Sequence, residues 1–266
     1  LLKLLRCEFA KLKRRPLFFA AVAISALLPL GCALFLPEMQ EFSDGAEAVD
    51  RLMSALFQLS AYLLLMPAVI VLASNLLFEE QDNTLKNLMT VPVGKPALAL
   101  AKMALLFLFS IAFMAVGGLV NLAIVLAYGL EPTGFWKLFC VGIGQGIMMW
   151  AGALPCVLLV VLLNRSYIIS VIITFFYTTV NYIFGTNDFF LMQPFGFNPG
   201  TLLPGPLTFR WFFQYLDTSD SGAQMTELLE RISPYFVTTP QAFLVIILES
   251  AVFLSLIALV YKRQSC

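Results

Sequence analysis

The chain has 266 residues, 60% of them hydrophobic and only 12% charged, with a mean hydropathy of +0.89. A soluble domain is about half apolar and a quarter charged, so this composition excludes a soluble globular protein and points to an all-α integral membrane protein. Sixteen Lys and Arg balance sixteen Asp and Glu, which gives no net attraction to nucleic acid, and the absence of histidine removes the commonest general base and metal ligand.

In chain order, Leu1 to Arg15 reads as an amphipathic helix. At 100° per residue Leu1, Leu2, Leu5, Phe9 and Leu12 share one arc, and Lys3, Arg6, Lys11, Lys13 and Arg14 take most of the rest. This pattern suits a helix lying in the membrane interface with its cations near anionic headgroups. A signal peptide is the competing reading, but the apolar run continues past Cys32.

Six apolar runs are each long enough to cross about 30 Å of hydrocarbon as a helix. They are Pro16 to Leu36, Ala55 to Phe78, Ala97 to Tyr128, Phe135 to Leu163, Tyr167 to Phe184 and Pro240 to Tyr261. The third is longer than a bilayer needs, so it must tilt or protrude. Pro155 marks a kink in the fourth. Thr239 reads as the N-cap of the sixth, with Pro240 at its first helical position. Glu38 to Arg51 is an acidic connection. Residues 185–239 are too long for a structureless loop. They contain an aromatic cluster, Phe209, Trp211, Phe212, Phe213 and Tyr215, suited to the interface. Ser221 and Gln224 resemble a capping box that opens a short helix ending at Ile232. One or two short helices are expected there, dipping into or lying on the outer leaflet. No internal repeat is visible, so 1–266 reads as a single transmembrane domain.

Cations fix the orientation. Lys3, Arg6, Lys11, Lys13, Arg14 and Arg15 precede the first span, and Lys86, Lys95, Arg165, Lys262 and Arg263 fall on the same side if there are six spans. Both termini and residues 79–95 are therefore expected in the cytoplasm.

Residues 79–95 form a polar island between the second and third spans. Leu85, Leu88 and Met89 have helical spacing, Asp82 or Asn83 can cap the helix, and Pro92 ends it. A short helix with one apolar side, held between two spans, suits pushing against another protein.

Chemical motifs are mostly missing from the sequence. There is no G-x-x-x-x-G-K-[ST] and no G-x-S-x-G, and H-E-x-x-H is impossible without histidine. No catalytic constellation and no metal site is expected. The five cysteines have no zinc-site or disulfide-framework spacing and read as small packing residues.

Polar residues inside the spans stand out instead. Glu249 falls near the middle of the sixth span, where a carboxylate costs about 2.5–3.5 kcal/mol. It either lines a substrate or ion path or joins spans as a hydrogen-bonded structural group. Asn121, Gln145 and Asn181 pose the same choice, path or interhelical hydrogen bond. Gly142 and Gly146 form a G-x-x-x-G that lets another helix approach closely.

Two stretches carry a family resemblance. Glu8-Phe9-Ala10-Lys11-Leu12-Lys13-Arg14-Arg15 resembles the E-x-x-K-L-K-R start of bacterial ABC exporter permeases of the type-2 class, in the branch associated with lantibiotic immunity and bacitracin resistance. Glu80, Thr84-Leu85-Lys86, Leu88, Pro92-Val93 and Lys102 resemble that class's cytoplasmic signature, with Asn83 where many members carry glycine. The order of spans is also similar.

The resemblance implies a permease in the bacterial plasma membrane that pairs with a second copy or a sister permease and with two separate ABC ATPase subunits. ATP and Mg²⁺ would sit on those partners, and this chain would carry no cofactor. Leu1–Arg15 would be the interfacial elbow. Glu79, Glu80, Thr84, Leu85, Lys86, Leu88, Met89 and Pro92 would make the coupling contact with the ATPase. The substrates implied are amphipathic antimicrobial peptides, removed from the outer leaflet or expelled. The alternatives are a secondary transporter or channel using Glu249, and a non-transporting scaffold or sensor subunit.

Overall fold

A computed structural model describes residues 4, 6, 8–10, 16–35, 44–78, 94–163, 167–197, 199–216 and 223–263. Among these residues every regular element is helical. The all-α membrane class is as expected: among the described residues five helices are long and apolar enough to cross a bilayer, against six expected, and the first run, Pro16 to Leu36, shows a shorter apolar stretch over Val22–Leu34. In chain order the elements are α1 (Pro16–Phe35), α2 (Gly45–Ala55), a π-helical segment (Leu56–Leu65), α3 (Met66–Phe78), α4 (Lys95–Ala127), α5 (Phe135–Leu163) and α6 (Tyr167–Thr186). Shorter helices follow, α7 (Asp188–Leu191), α8 (Pro204–Phe212) and α9 (Ala223–Ile232), and then α10 (Thr239–Arg263). The stretch 79–93 and ten of the first fifteen residues lie outside the described residues.

The second apolar run begins earlier than its composition suggests. Asp44 is extended and its Oδ1 accepts the Glu47 amide at 2.8 Å, which caps α2. Ala48, Val49, Leu52 and Met53 then turn inward with helical spacing. α2, the π segment and α3 form one unbroken helical span from Gly45, so the second half of the acidic connection is helix. α4 runs 33 residues, about 50 Å at 1.5 Å per residue, well beyond the thickness of the hydrocarbon.

α5 is the centre of the bundle. Of its most apolar stretch 72% is buried, against 28% for α6 and 17% for α10. It touches α4, α3, α8 and α10. The close approach expected at the G-x-x-x-G is present: a Cβ on Gly146 would lie 2.9 Å from the Ser110 carbonyl oxygen of α4. The indole of Trp150 donates to the Met103 carbonyl at 3.1 Å and ties the same pair. α6 and α10 lie at the margin and leave Ile168, Phe175, Phe176, Leu244, Ile247 and Leu248 exposed, as helices facing lipid or another subunit do. Cys32 and Cys156 are buried, while Cys140 is exposed and does not pack inside.

The aromatic cluster departs from expectation. Phe209, Trp211, Phe212 and Phe213 are buried within the bundle rather than placed at an interface. α8 packs along α6 and against α5, and every one of its nine residues is buried. The physical reason is the pair Gly205 and Gly185. Gly205 lets the α8 backbone press on α6, because a Cβ there would sit 2.1 Å from the Asn181 carbonyl oxygen. A nine-residue helix is too short to span a bilayer, and α8 packs inside the bundle instead.

The N-cap of α10 is Thr238, one residue before the expected Thr239. The Thr238 amide and hydroxyl both donate to Gln241 Oε1, at 3.1 and 2.8 Å, so the N3 side chain reaches back to the cap as in one half of a capping box. The Thr239 hydroxyl is engaged elsewhere, by the Trp211 indole at 3.1 Å and by Tyr215.

Candidate functional site

The polar residues singled out within the spans separate into two groups. Asn121 on α4 and Gln145 on α5 both face the second span. Asn121 Nδ2 donates to the Leu52 carbonyl at 3.0 Å, and Gln145 Nε2 donates to the Phe57 carbonyl at 2.7 Å. Both side chains are fully buried. Their amide nitrogens make the interhelical bonds that the sequence left as one of two choices.

Asn181 and Glu249 are elsewhere. Asn181 Nδ2 donates to the Tyr177 carbonyl one turn back, at 3.0 Å. The Tyr177 hydroxyl donates to the Gly152 carbonyl of α5 at 2.6 Å and lies within electrostatic reach of Glu249. Glu249 is half-buried on α10 and has no hydrogen-bond or ion-pair partner among the described residues. Asn181 and Tyr177 also line an open apolar groove of about 430 Å³ between α5 and α6, floored by Leu203 and walled by Leu159, Ile172 and Phe176. A groove of this character takes apolar chains and offers one amide to orient them.

The segment 79–93, with Glu79, Glu80, Thr84, Leu85, Lys86, Leu88, Met89 and Pro92, lies outside the described residues, but its two supports do not. α3 leads into it and α4 leads out. Lys102 on α4 is buried, and its ammonium donates to the Leu76 carbonyl in the last turn of α3. An ammonium-to-carbonyl bond of this kind is charge-assisted and joins the two helices directly. The two helices that hold the segment are thereby joined at its base.

Comparison with known proteins supplies the class. The sequence profile described as ABC-2 family transporter protein matches residues 4–181, about two thirds of the chain. The chain belongs to the ABC-2 family of transporter proteins. No curated protein matches it. An ABC-2 permease is the membrane component of an ABC transporter, and nucleotide binding belongs to another domain or subunit.

Within this permease the match ends at Asn181, so α8 to α10 lie beyond it. That region packs on α4, α5 and α6, and polar bonds fasten it at one point. The Tyr62 hydroxyl of the π segment donates to the Gly205 carbonyl at 3.2 Å, and its ring stacks on Phe209 with centroids 4.8 Å apart. Arg210 then clamps the strap that leads to α10: its Nε donates to the Tyr235 carbonyl at 2.7 Å, and its own carbonyl accepts the Val237 amide. Gln214 Nε2 adds a bond to the Val237 carbonyl at 3.0 Å. The guanidinium is fully buried with Nη1 unpaired, and this burial lowers its pKa from the ordinary arginine value.

Sequence reasoning missed Tyr62, Tyr177 and Arg210 as organising residues. Arg210 carried a signal, a lone cation inside an aromatic run. The tyrosines carried none, because a tyrosine in an apolar run reads as a packing residue until its hydroxyl finds a carbonyl.

Proposed function

We propose that this permease is the membrane half of an ATP-driven bacterial exporter that removes amphipathic antimicrobial peptides, in the lantibiotic-immunity and bacitracin-resistance branch. It works as a pair, with a second copy or a sister permease, and with separate ABC ATPase subunits that bind ATP and Mg²⁺. The segment 79–95 faces the cytoplasm with both termini. Thr84, Leu85, Leu88 and Met89 form the apolar side that seats on the ATPase, and Glu79, Glu80, Lys86 and Pro92 frame it. Leu1–Arg15 is the interfacial elbow.

The observation that carries this reading is the family match together with the place of the polar island. The island joins α3 to α4, and Lys102 ties those helices at its base. A push on the island therefore moves both helices together. The apolar groove beside Asn181 supports an amphipathic cargo, whose apolar face it accommodates; Glu249, on α10 and outside the lining of that groove, is the acid assigned to the cationic face. Anion and cation attract strongly at low dielectric.

Leu85→Asp tests the assignment in cells challenged with lantibiotics and bacitracin. The variant is expected to insert in the membrane at the wild-type level and to lose resistance. Resistance retained by a fully expressed Leu85→Asp protein ends the coupling assignment.

A further inference from the structure

The second span contains a π-helical run of ten residues, Leu56–Leu65. Such runs are rare, and single π turns inside α-helices cluster at functional sites. Here the run sits between the entry of the span at Gly45 and its exit at Phe78 toward residues 79–93.

Three observations mark this segment as an element with a second accessible state. First, neighbouring helices hold it from outside. Gln145 bonds the Phe57 carbonyl, and Asn121 bonds the Leu52 carbonyl just before the run. Second, the buried side-chain atoms left without a hydrogen bond concentrate around it. Ser60 Oγ, Asn121 Oδ1 and Gln145 Oε1 are three of the five such atoms among the described residues, and unpaired buried groups of this kind call for a specific reason. Third, Ser60 lacks a bond that its α-helical counterparts have. Ser74, Ser110, Thr174, Thr178 and Thr208 each donate to the carbonyl four residues back. Ser250, beside Glu249 in α10, is the other serine among the described residues whose buried hydroxyl has no bond at all. Closing the π turn to an α turn gives Ser60 that bond, to the Leu56 carbonyl.

We propose that Leu56–Leu65 is a π-to-α switch that links displacement of residues 79–93 to the position of α8, with Gln145 as the positioning residue that holds the π state. The upper end of the span cannot yield. A Cβ on Gly45 would lie 1.8 Å from the Glu131 carbonyl oxygen, so the start of α2 is pressed against the turn that joins α4 to α5. Closing wide turns to α turns lengthens the run, because an α residue rises about 1.5 Å and a residue of the wider turn rises less, and this moves α3 away from that end, toward residues 79–93. Tyr62 lies inside the run, so the same closure withdraws its hydroxyl from Gly205 and frees α8 to shift. Run backwards, a push on α3 from below favours the π state and seats α8. The direction of coupling to ATP rests on the exporter reading; the two-state segment does not.

Backbone amide exchange of peptides covering 56–65 tests the switch in the purified permease in lipid nanodiscs. Gln145→Met removes the bond to Phe57 and favours the α state. Ser60→Ala removes the bond gained on closure and favours the π state. The loss of one hydrogen bond shifts such an equilibrium about fivefold. Exchange at 56–65 is therefore expected to slow, by up to about fivefold, in Gln145→Met and not in Ser60→Ala, with peptides from α5 unchanged. A second arm uses the permease with its co-expressed ATPase, nucleotide-free against vanadate-trapped with Mg·ATP; exchange at 56–65 is expected to differ between those states. Identical exchange in wild type and both variants overturns the switch. Failure to capture any ATPase overturns the exporter reading, and the two variants still decide the switch. Opposed variants with no nucleotide dependence overturn the link to residues 79–93.

Discussion

Gly205→Ala is the most informative single perturbation of the bundle. The new methyl would lie 2.1 Å from the Asn181 carbonyl oxygen, where an ordinary contact begins at 3.4 Å. The atom it meets is backbone, so no side chain can swing aside, and α8 must retreat from α6 by roughly 1 Å or more. Overpacking of this kind costs about 1–3 kcal/mol. The Tyr62 bond to the Gly205 carbonyl, already long at 3.2 Å, is lost in the retreat and adds about 1 kcal/mol. The expected destabilisation is therefore about 2–4 kcal/mol. Gly31→Ala is the control, because nothing lies within 4 Å of a Cβ there. Thermal unfolding in detergent, followed by the reaction of buried Cys156 with a thiol-reactive dye after Cys7, Cys32, Cys140 and Cys266 are replaced by serine, reads both. Gly205→Ala should unfold several degrees below wild type and Gly31→Ala at or above it. Equal midpoints for the two alanine variants would refute the close packing of α8 on α6.

Tyr62→Phe keeps the stacking on Phe209 and removes only the hydroxyl, so the same dye assay should show a loss of about 1 kcal/mol. Lys102→Met leaves a carbonyl in the last turn of α3 without its cation, and a cost of about 1.5–3 kcal/mol is expected, largely recovered by Lys102→Arg; a midpoint unchanged in Lys102→Met would show that the tie between α3 and α4 is idle. Glu249→Gln removes the charge and keeps the shape. Expression should equal or exceed wild type, because a charge at that depth opposes insertion, while resistance to cationic peptides should fall; unchanged resistance would remove Glu249 from the path.

Much of the fold was legible in the sequence because hydrocarbon imposes one strong rule, that long apolar runs become helices. The limits of α4, α5 and α10 follow that rule to within a few residues. What composition hid was local. Asp44 caps a helix whose inward residues, Ala48, Val49, Leu52 and Met53, keep helical period, but the acids around them read as a connection. α8 was hidden for a different reason. Prolines and aromatics favour an interfacial loop on average, while Gly205 and Gly185 decide the outcome by permitting backbone contact that no pattern rule anticipates. The π segment has no sequence signal at all, since its residues are ordinary for an apolar span. Of the candidate site, Asn121, Gln145 and Asn181 were found because an amide in an apolar run is conspicuous. Their partners are backbone carbonyls, which every residue has, so which carbonyl each amide reaches is a property of the packing alone.

The most direct measurement of the central claim is co-purification. The permease, tagged and expressed beside candidate ABC ATPase subunits of the same cell, is compared with a variant in which Thr84–Met89 is replaced by a flexible linker of equal length. Stoichiometric ATPase with the wild-type permease, and none with the replacement, is the predicted result. A folded wild-type permease that retains no ATPase, or a replacement that retains it fully, would contradict the coupling role of residues 79–95.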